Sequence, residues 1–218
     1  MPWIRDIHLV VSNIEQVPEY AKNYNVKVVL HKDIMPERFL PIFNSCAIEL
    51  FLHRVPGISE HFLYFNDDFF VLNPIEKDYF FTRDGHPING FHYRNLDKIQ
   101  NLSHGHSFLN AYNVAYASDW KHERYKPQFG KHLELWHDIK AMTVSNCEVC
   151  WNILHGKFID SITPFRSEKS INGYVFQLYD YFTGKCEARN EDFAKTFRLD
   201  KENIDDYGKQ FCCINNTE

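Results

Sequence analysis

The stretch that most constrains this chain is Phe62-Leu63-Tyr64-Phe65-Asn66-Asp67-Asp68-Phe69-Phe70-Val71-Leu72. Its first residues are apolar and aromatic, as in a short buried strand. The run breaks at Asn66-Asp67-Asp68, and an apolar run then resumes. Two adjacent carboxylates at the end of a buried strand repel each other and are costly to desolvate unless positive charge lies between them. A hard divalent cation, Mg²⁺ or Mn²⁺, meets that need because carboxylate oxygens suit such ions. In open α/β sheets ligands gather at the carboxyl ends of strands, where Asp67 and Asp68 would lie. The competing reading of the same residues is a solvated turn between two strands.

A chain of 218 residues can bury a full core, and one domain is the expected organisation. Its 19 Phe, 12 Tyr and 4 Trp point to a core and to sugar- or base-stacking surfaces rather than to disorder. A net charge of -5 argues against non-specific nucleic-acid binding. No apolar run reaches the length of a membrane span and no signal peptide opens the chain, so a cytoplasmic location is expected, peripheral to the membrane at most. The six cysteines show no disulfide-scaffold spacing and read as reduced thiols. Cys147 and Cys150 match the redox and zinc spacing, but they fall in a helical pattern without a second ligand pair and read as buried helix thiols.

Along the chain, Ile7 to Val11 and Val26 to Leu30 have strand character, and the crossover between them suggests parallel neighbours. Asn44 or Ser45 can cap a helix that stops before Pro56-Gly57, with Ser45, Glu49 and His53 forming a polar stripe read as solvated. Asp78 to Asn101, with turn signals at Asp84-Gly85 and Asn89-Gly90, reads as a hairpin or irregular flap. A helix is expected over 101–119, entered through a turn whose His104 and His106 read as solvated rather than metal-bound. Leu133 to Leu154 reads as one long amphipathic helix, and Phe158 to Ser161 as a short link. Ile171 to Phe182 reads as a helix capped by Ser170 and ended by Gly184, and Phe211 to Ile214 as a last strand.

Several of these stretches together resemble the Stealth family of hexose-1-phosphate transferases. They are Pro2-Trp3-Ile4-Arg5, His31-Lys32-Asp33 and Leu40-Pro41 with Phe43-Asn44-Ser45. The series continues through Ala47-Ile48-Glu49, His53-Arg54, Pro56-Gly57 and Ser59-Glu60 to Phe62 through Asp68. Phe165-Arg166-Ser167 resembles a later element of the family. Cys213-Ile214-Asn215-Asn216 resembles its last block, with Asn216 standing where the family usually has Asp. The family's first block, a strand ending in a Val-Asp-Gly-type turn that helps hold the nucleotide, has no counterpart here, so a truncated member, a fragment or one half of a split protein is expected.

The resemblance implies transfer of a sugar-1-phosphate from a nucleotide sugar to a saccharide hydroxyl. The product is a phosphodiester of a capsular or cell-wall polysaccharide. It implies an α/β, nucleotide-diphosphosugar-transferase-like (GT-A-like) fold with a mainly parallel sheet and a C-terminal helical part. Within one domain, residues 1–75 would form the core, 76–131 a flap and linker, and 132–218 the helical part and last strand. Attack at phosphorus calls for positive charge around the diphosphate, a base for the acceptor and in-line geometry. On the resemblance, Asp67 and Asp68 hold Mg²⁺ or Mn²⁺, Arg166 neutralises the transferring phosphoryl, and His132 takes the acceptor proton or forms a phospho-histidine. Asn44 and Ser45 at a helix start, with Asn13, Glu49 and Asn216, are the substrate contacts it implies. The expected partners are a nucleotide sugar, a saccharide acceptor and, at an exposed sheet edge, a second copy or a complementary chain. A partner subunit without catalysis and a metal-dependent glycosyltransferase are the alternatives.

Overall fold

The computed structural model describes residues 1–99, 105–118, 125–189, 194–197 and 211–214. The chain opens with β1 (Ile7–Val11) and, after two short 3-10 turns, β2 (Val26–Leu30). The two strands pair in parallel from Ile7 opposite Val26 to Val11 opposite Leu30, as the crossover between their apolar runs predicts. Short helices α1 (His31–Ile34) and α2 (Ser45–Glu49) follow, then β3 (His61–Tyr64) and β4 (Phe69–Val71). The next elements are β5 (Ile88–Asn95), α3 (Leu96–Ile99), α4 (Gly105–Ala117), β6 (Lys131–Leu135) and β7 (Lys140–Thr143). The rest comprises α5 (Val144–Ser161), α6 (Val175–Phe182), β8 (Glu187–Arg189), β9 (Ala194–Phe197) and β10 (Phe211–Ile214).

The α/β class holds, but the described residues do not form one mainly parallel sheet. They form four small sheets, β1-β2, β3-β7, β4-β10-β9 and β6-β5-β8. The β1-β2, β10-β9 and β5-β8 pairs are parallel, and the β3-β7, β4-β10 and β5-β6 pairs antiparallel. The flap expected over Asp78 to Asn101 is largely the strand β5. Asn89, expected in a turn, is a buried bridge between sheets: its Nδ2 donates to the Ala141 carbonyl (3.0 Å) and its Oδ1 accepts from the Ala141 N–H (3.1 Å). That is the pairing a peptide group would make, and it ties β5 to β7.

The expected helix from Leu133 is two strands and then α5. Leu133 and Leu135 are buried on β6, the chain turns at Trp136-His137-Asp138, and all four residues of β7 are buried. α5 then starts at Val144 and runs on through Phe158 to Ser161, where a link was expected. Its buried residues, Cys147, Cys150, Trp151, Leu154, Phe158 and Ser161, recur at three- and four-residue steps, the stripe of a helix packed on one side. Burial pushes the Cys147 and Cys150 thiols up, as suits core residues rather than metal ligands. Phe51 packs against Trp151 with ring centres 4.8 Å apart, and Phe158, Phe176 and Phe182 fill the same core. Each such ring is worth about 1.5–3 kcal/mol of burial.

The polar stripe Ser45, Glu49 and His53 is not a solvated face. Glu49 and His53 are buried, and burial lowers His53 to about 4, so the ring packs neutral on Trp151 and Phe176. α6 ends as expected at Gly184, which takes φ +71 while Lys185 N–H reaches back to the Asp180 carbonyl (2.8 Å). Ser170 does not cap α6; its hydroxyl accepts from Ser167 N–H (3.0 Å) and from Asn44 Nδ2 (3.2 Å). Among the described residues no helix is long and apolar enough to cross a membrane.

Candidate functional site

β3 delivers the chain to a tight turn at Asp67-Asp68, and β4 leaves it. β10 fixes that turn from the side: the Ile214 N–H donates to the Asp68 carbonyl (2.9 Å), and the Cys213 thiol to Asp68 Oδ2 (3.0 Å). β3 also lies antiparallel to β7 with Tyr64 opposite Lys140, so the residues just before β7 arrive beside the end of β3. One of them is His137, whose Nε2 lies 3.8 Å from Asp68 Oδ2 and whose ring packs on Phe69 at 4.9 Å. The other ring nitrogen, Nδ1, meets the Tyr174 hydroxyl at 3.4 Å. Asp68 Oδ1 is buried and, among the described residues, receives no hydrogen bond. The His137 side chain is 41% exposed, so the carboxylate and imidazole face solvent together.

A second set of residues stands behind Tyr174. Glu49 on α2 is buried, and its Oε2 accepts from Gly173 N–H (2.9 Å) while its Oε1 accepts from the Tyr64 hydroxyl (3.1 Å). Burial raises its carboxyl above the usual range, and the Gly173 N–H, the Tyr64 hydroxyl, Arg166 and Lys140 pull it back. A Cβ on residue 173 would stand 2.7 Å from the Glu49 Cβ, so only glycine allows this approach. Arg166 is exposed and donates to Ser45 Oγ at 2.7 Å. Beside it Phe43 and Phe165, 65% and 67% exposed, stack with ring centres 5.4 Å apart. Lys140 is buried, bonded through Nζ to the Trp136 carbonyl (2.8 Å) and the Asp138 carbonyl, and lies over the Tyr174 ring. It supplies fixed positive charge among these acids.

The description "Stealth protein CR2, conserved region 2" matches residues 1–89, which carry α2, β3 and the Asp67-Asp68 turn. Over those residues the chain is similar to the Stealth family. The capsular polysaccharide phosphotransferase of Haemophilus influenzae is 43% identical over 101 residues, 45% of this chain and 27% of the relative. The exopolysaccharide phosphotransferase of Lactiplantibacillus plantarum is 41% identical over 105 residues, 47% of this chain and 31% of the relative. A capsular polysaccharide phosphotransferase of Actinobacillus pleuropneumoniae is 26% identical over 194 residues, 85% of this chain. The chain thus spans about half the length, or less, of these relatives.

Of the residues the sequence nominates, the structure gathers Asn44, Ser45, Glu49 and Arg166 in one cluster and places Asp68 in the other. Asn44 precedes α2 as expected, but its amide is spent inside the protein, on the Thr163 (3.3 Å) and Phe165 (3.5 Å) carbonyls and Ser170. Asp67 is exposed and outside the Asp68 cluster. Asn13 is also exposed, and its Oδ1 accepts from Glu15 N–H (3.0 Å) to cap its own turn. His132 is fully buried at the other end of β6 from His137, with Nδ1 against the Arg94 carbonyl (3.2 Å) and Nε2 3.2 Å from Glu134. The structure does not bring it to Asp68. His106 is exposed, and His104 and Asn216 lie outside the described residues.

His137, Tyr174 and Cys213 are residues of this candidate site that sequence reasoning missed. The donors gathered at Asp68 are one carboxylate, one imidazole and one thiol, with ligand atoms all within 4.8 Å of one another. Mg²⁺ selects oxygen ligands and fits this set only through Asp68; Mn²⁺ adds the imidazole.

Proposed function

We propose that this chain carries acceptor-activating and phosphoryl-neutralising parts of a Stealth-type sugar-1-phosphate transferase of capsular or exopolysaccharide synthesis. The donor would be a UDP-hexose or UDP-N-acetylhexosamine, held at the strand ends as in nucleotide-diphosphosugar transferases. The observation that carries this is the Asp68–His137 pair, open to solvent at the end of β3 and oriented by Tyr174. His137, rather than His132, takes the proton of the acceptor hydroxyl. As it does so the acceptor oxygen bonds to phosphorus, the bond to the leaving nucleoside monophosphate breaks, and Asp68 stabilises the imidazolium. Arg166, preset by Ser45, offers its guanidinium to the transferring phosphoryl oxygens. Glu49 holds Gly173 and Tyr64, and so the position of Tyr174 and His137, without touching substrate.

The names of the relatives support this reading, since each is a polysaccharide phosphotransferase. The second reading is a subunit that binds nucleotide sugar without turning it over. The deciding assay incubates the purified chain with UDP-N-acetylglucosamine or UDP-glucose, a saccharide acceptor and Mg²⁺ or Mn²⁺. UMP release with a product heavier by a sugar phosphate, lost in Asp68→Asn, is the expected result. UDP release would instead mean glycosyl transfer, and binding without either product would leave the second reading.

A further inference from the structure

The ligand set at Asp68 carries a consequence of its own. Cys213, His137 and Asp68 come from three separate elements, β10, the β6–β7 connection and the β3–β4 turn, yet their ligand atoms converge within 4.8 Å. Thiolate and imidazole are ligands of borderline and soft ions, and a mixed sulfur, nitrogen and oxygen set suits Zn²⁺. Three further observations point to a ligand here. Asp68 Oδ1 is buried, and no described residue donates to it. The Tyr174 hydroxyl lies against His137 Nδ1, which directs Nε2 toward Asp68, the outer-sphere contact that orients metal-bound imidazoles. The half-exposed His137 leaves one side of the cluster to solvent, as in three-ligand sites that keep a position open.

We propose that Asp68, His137 and Cys213 bind a borderline divalent cation, with Zn²⁺ as the type, and discriminate against Mg²⁺. On binding, the Cys213 S–H gives its proton to solvent and the sulfur bonds the ion, which replaces the thiol proton that now bridges Cys213 and Asp68. The ion also takes the Nε2 lone pair of His137. On the reading above, that lone pair accepts the acceptor proton, so Zn²⁺ switches phosphotransfer off.

The test uses the reduced full chain and Co²⁺ as a spectroscopic stand-in for Zn²⁺. The expected result is one Co²⁺ per chain with a thiolate-to-cobalt charge-transfer band, displaced by Zn²⁺ and untouched by a large excess of Mg²⁺. Cys213→Ser loses the band, Cys212→Ser keeps it, and His137→Ala weakens Co²⁺ binding by at least about tenfold. His137 is half-exposed, so His137→Ala keeps the test decisive if the buried Cys213→Ser variant fails to fold. No band in the wild type, a band that survives Cys213→Ser, or displacement by equimolar Mg²⁺ overturns the site. The band reports binding alone, so it is scored separately from turnover. Zn²⁺ that binds yet leaves UMP release unchanged refutes the inhibition and keeps the site.

Discussion

Glu49 and Asp68 are carboxylates flanking the same end of β3, and their surroundings are opposite. Glu49 is buried, and a backbone N–H and a tyrosine hydroxyl saturate it. Asp68 sits in a turn with one oxygen on a thiol, one buried oxygen that no described residue serves, and an exposed imidazole alongside. A saturated carboxylate can only hold its neighbours in place, whereas one with spare acceptor capacity and an open side can meet a ligand. The contrast separates architecture from chemistry at one end of a single strand.

The sharpest way to break that contrast is Asp68→Asn against Glu49→Gln. Asp68→Asn is expected to cut UMP release about a thousandfold with the melting temperature unchanged, an effect of the size attributed to positioned acid–base groups. Glu49→Gln should keep most of the turnover, and an equal loss in both would erase the distinction.

Asp180, a third buried carboxylate, sharpens the comparison because burial raises it to about 8 against weaker support from Asn146 and Lys185. Between the unfolded value of 3.8 and about 8 the folded chain keeps a proton that the unfolded chain releases. Stability therefore falls with rising pH across that window, by up to about 1.4 kcal/mol per pH unit. Asp180→Asn removes this slope: thermal melts should show the variant gaining on the wild type from pH 5 to pH 8, with the gap closing near pH 4. Parallel curves would mean that Asp180 is not held protonated.

Asn44→Ala strips hydrogen bonds from the part-buried Thr163 and Phe165 carbonyls and from the buried Ser170 hydroxyl, at a cost of about 2–3 kcal/mol. For a chain of this size that is a drop of roughly 4–12 °C, read by calorimetry. A variant that melts normally but loses nucleotide-sugar binding would make Asn44 a substrate contact after all. The smallest effect belongs to Arg166→Lys, which keeps charge but loses the planar fork. Turnover should fall about tenfold, with stability within about 0.5 kcal/mol because the side chain is exposed. Full activity in Arg166→Lys would remove Arg166 from the phosphoryl site.

What the sequence allowed to be read depended on how local the signal was. β1, β2 and β3 are mainly apolar runs with one polar residue each, His8, Lys27 and His61, and the parallel β1-β2 pair follows from the length of its connection. The Asn44-Ser45, Glu49 and Arg166 set was legible through family resemblance, and the structure brings it together. Residues 133–154 failed because Ile139, Met142 and Val149 have helical spacing and no Gly or Pro marks the turn at Trp136-His137-Asp138. The available signal was Leu133 and Leu135 at every second position, followed by a polar His-Asp pair. Reading that segment as one helix hid the turn that carries His137 to the end of β3. Asn89-Gly90 reads as a turn by composition, and only tertiary pairing with Ala141 makes it strand. Cys213 at Asp68 is a pairing across most of the chain, which no window of sequence contains.

That last pairing sets a timetable for synthesis. A ribosome makes Asp68 long before it makes β10, and Cys213, 145 positions further on, must emerge before the thiol can arrive. Closing so long a loop costs only slightly more than closing one half its length, so the delay lies in translation rather than in entropy. Until then the turn lacks its thiol, and a nascent chain that has not yet made β10 holds no complete site.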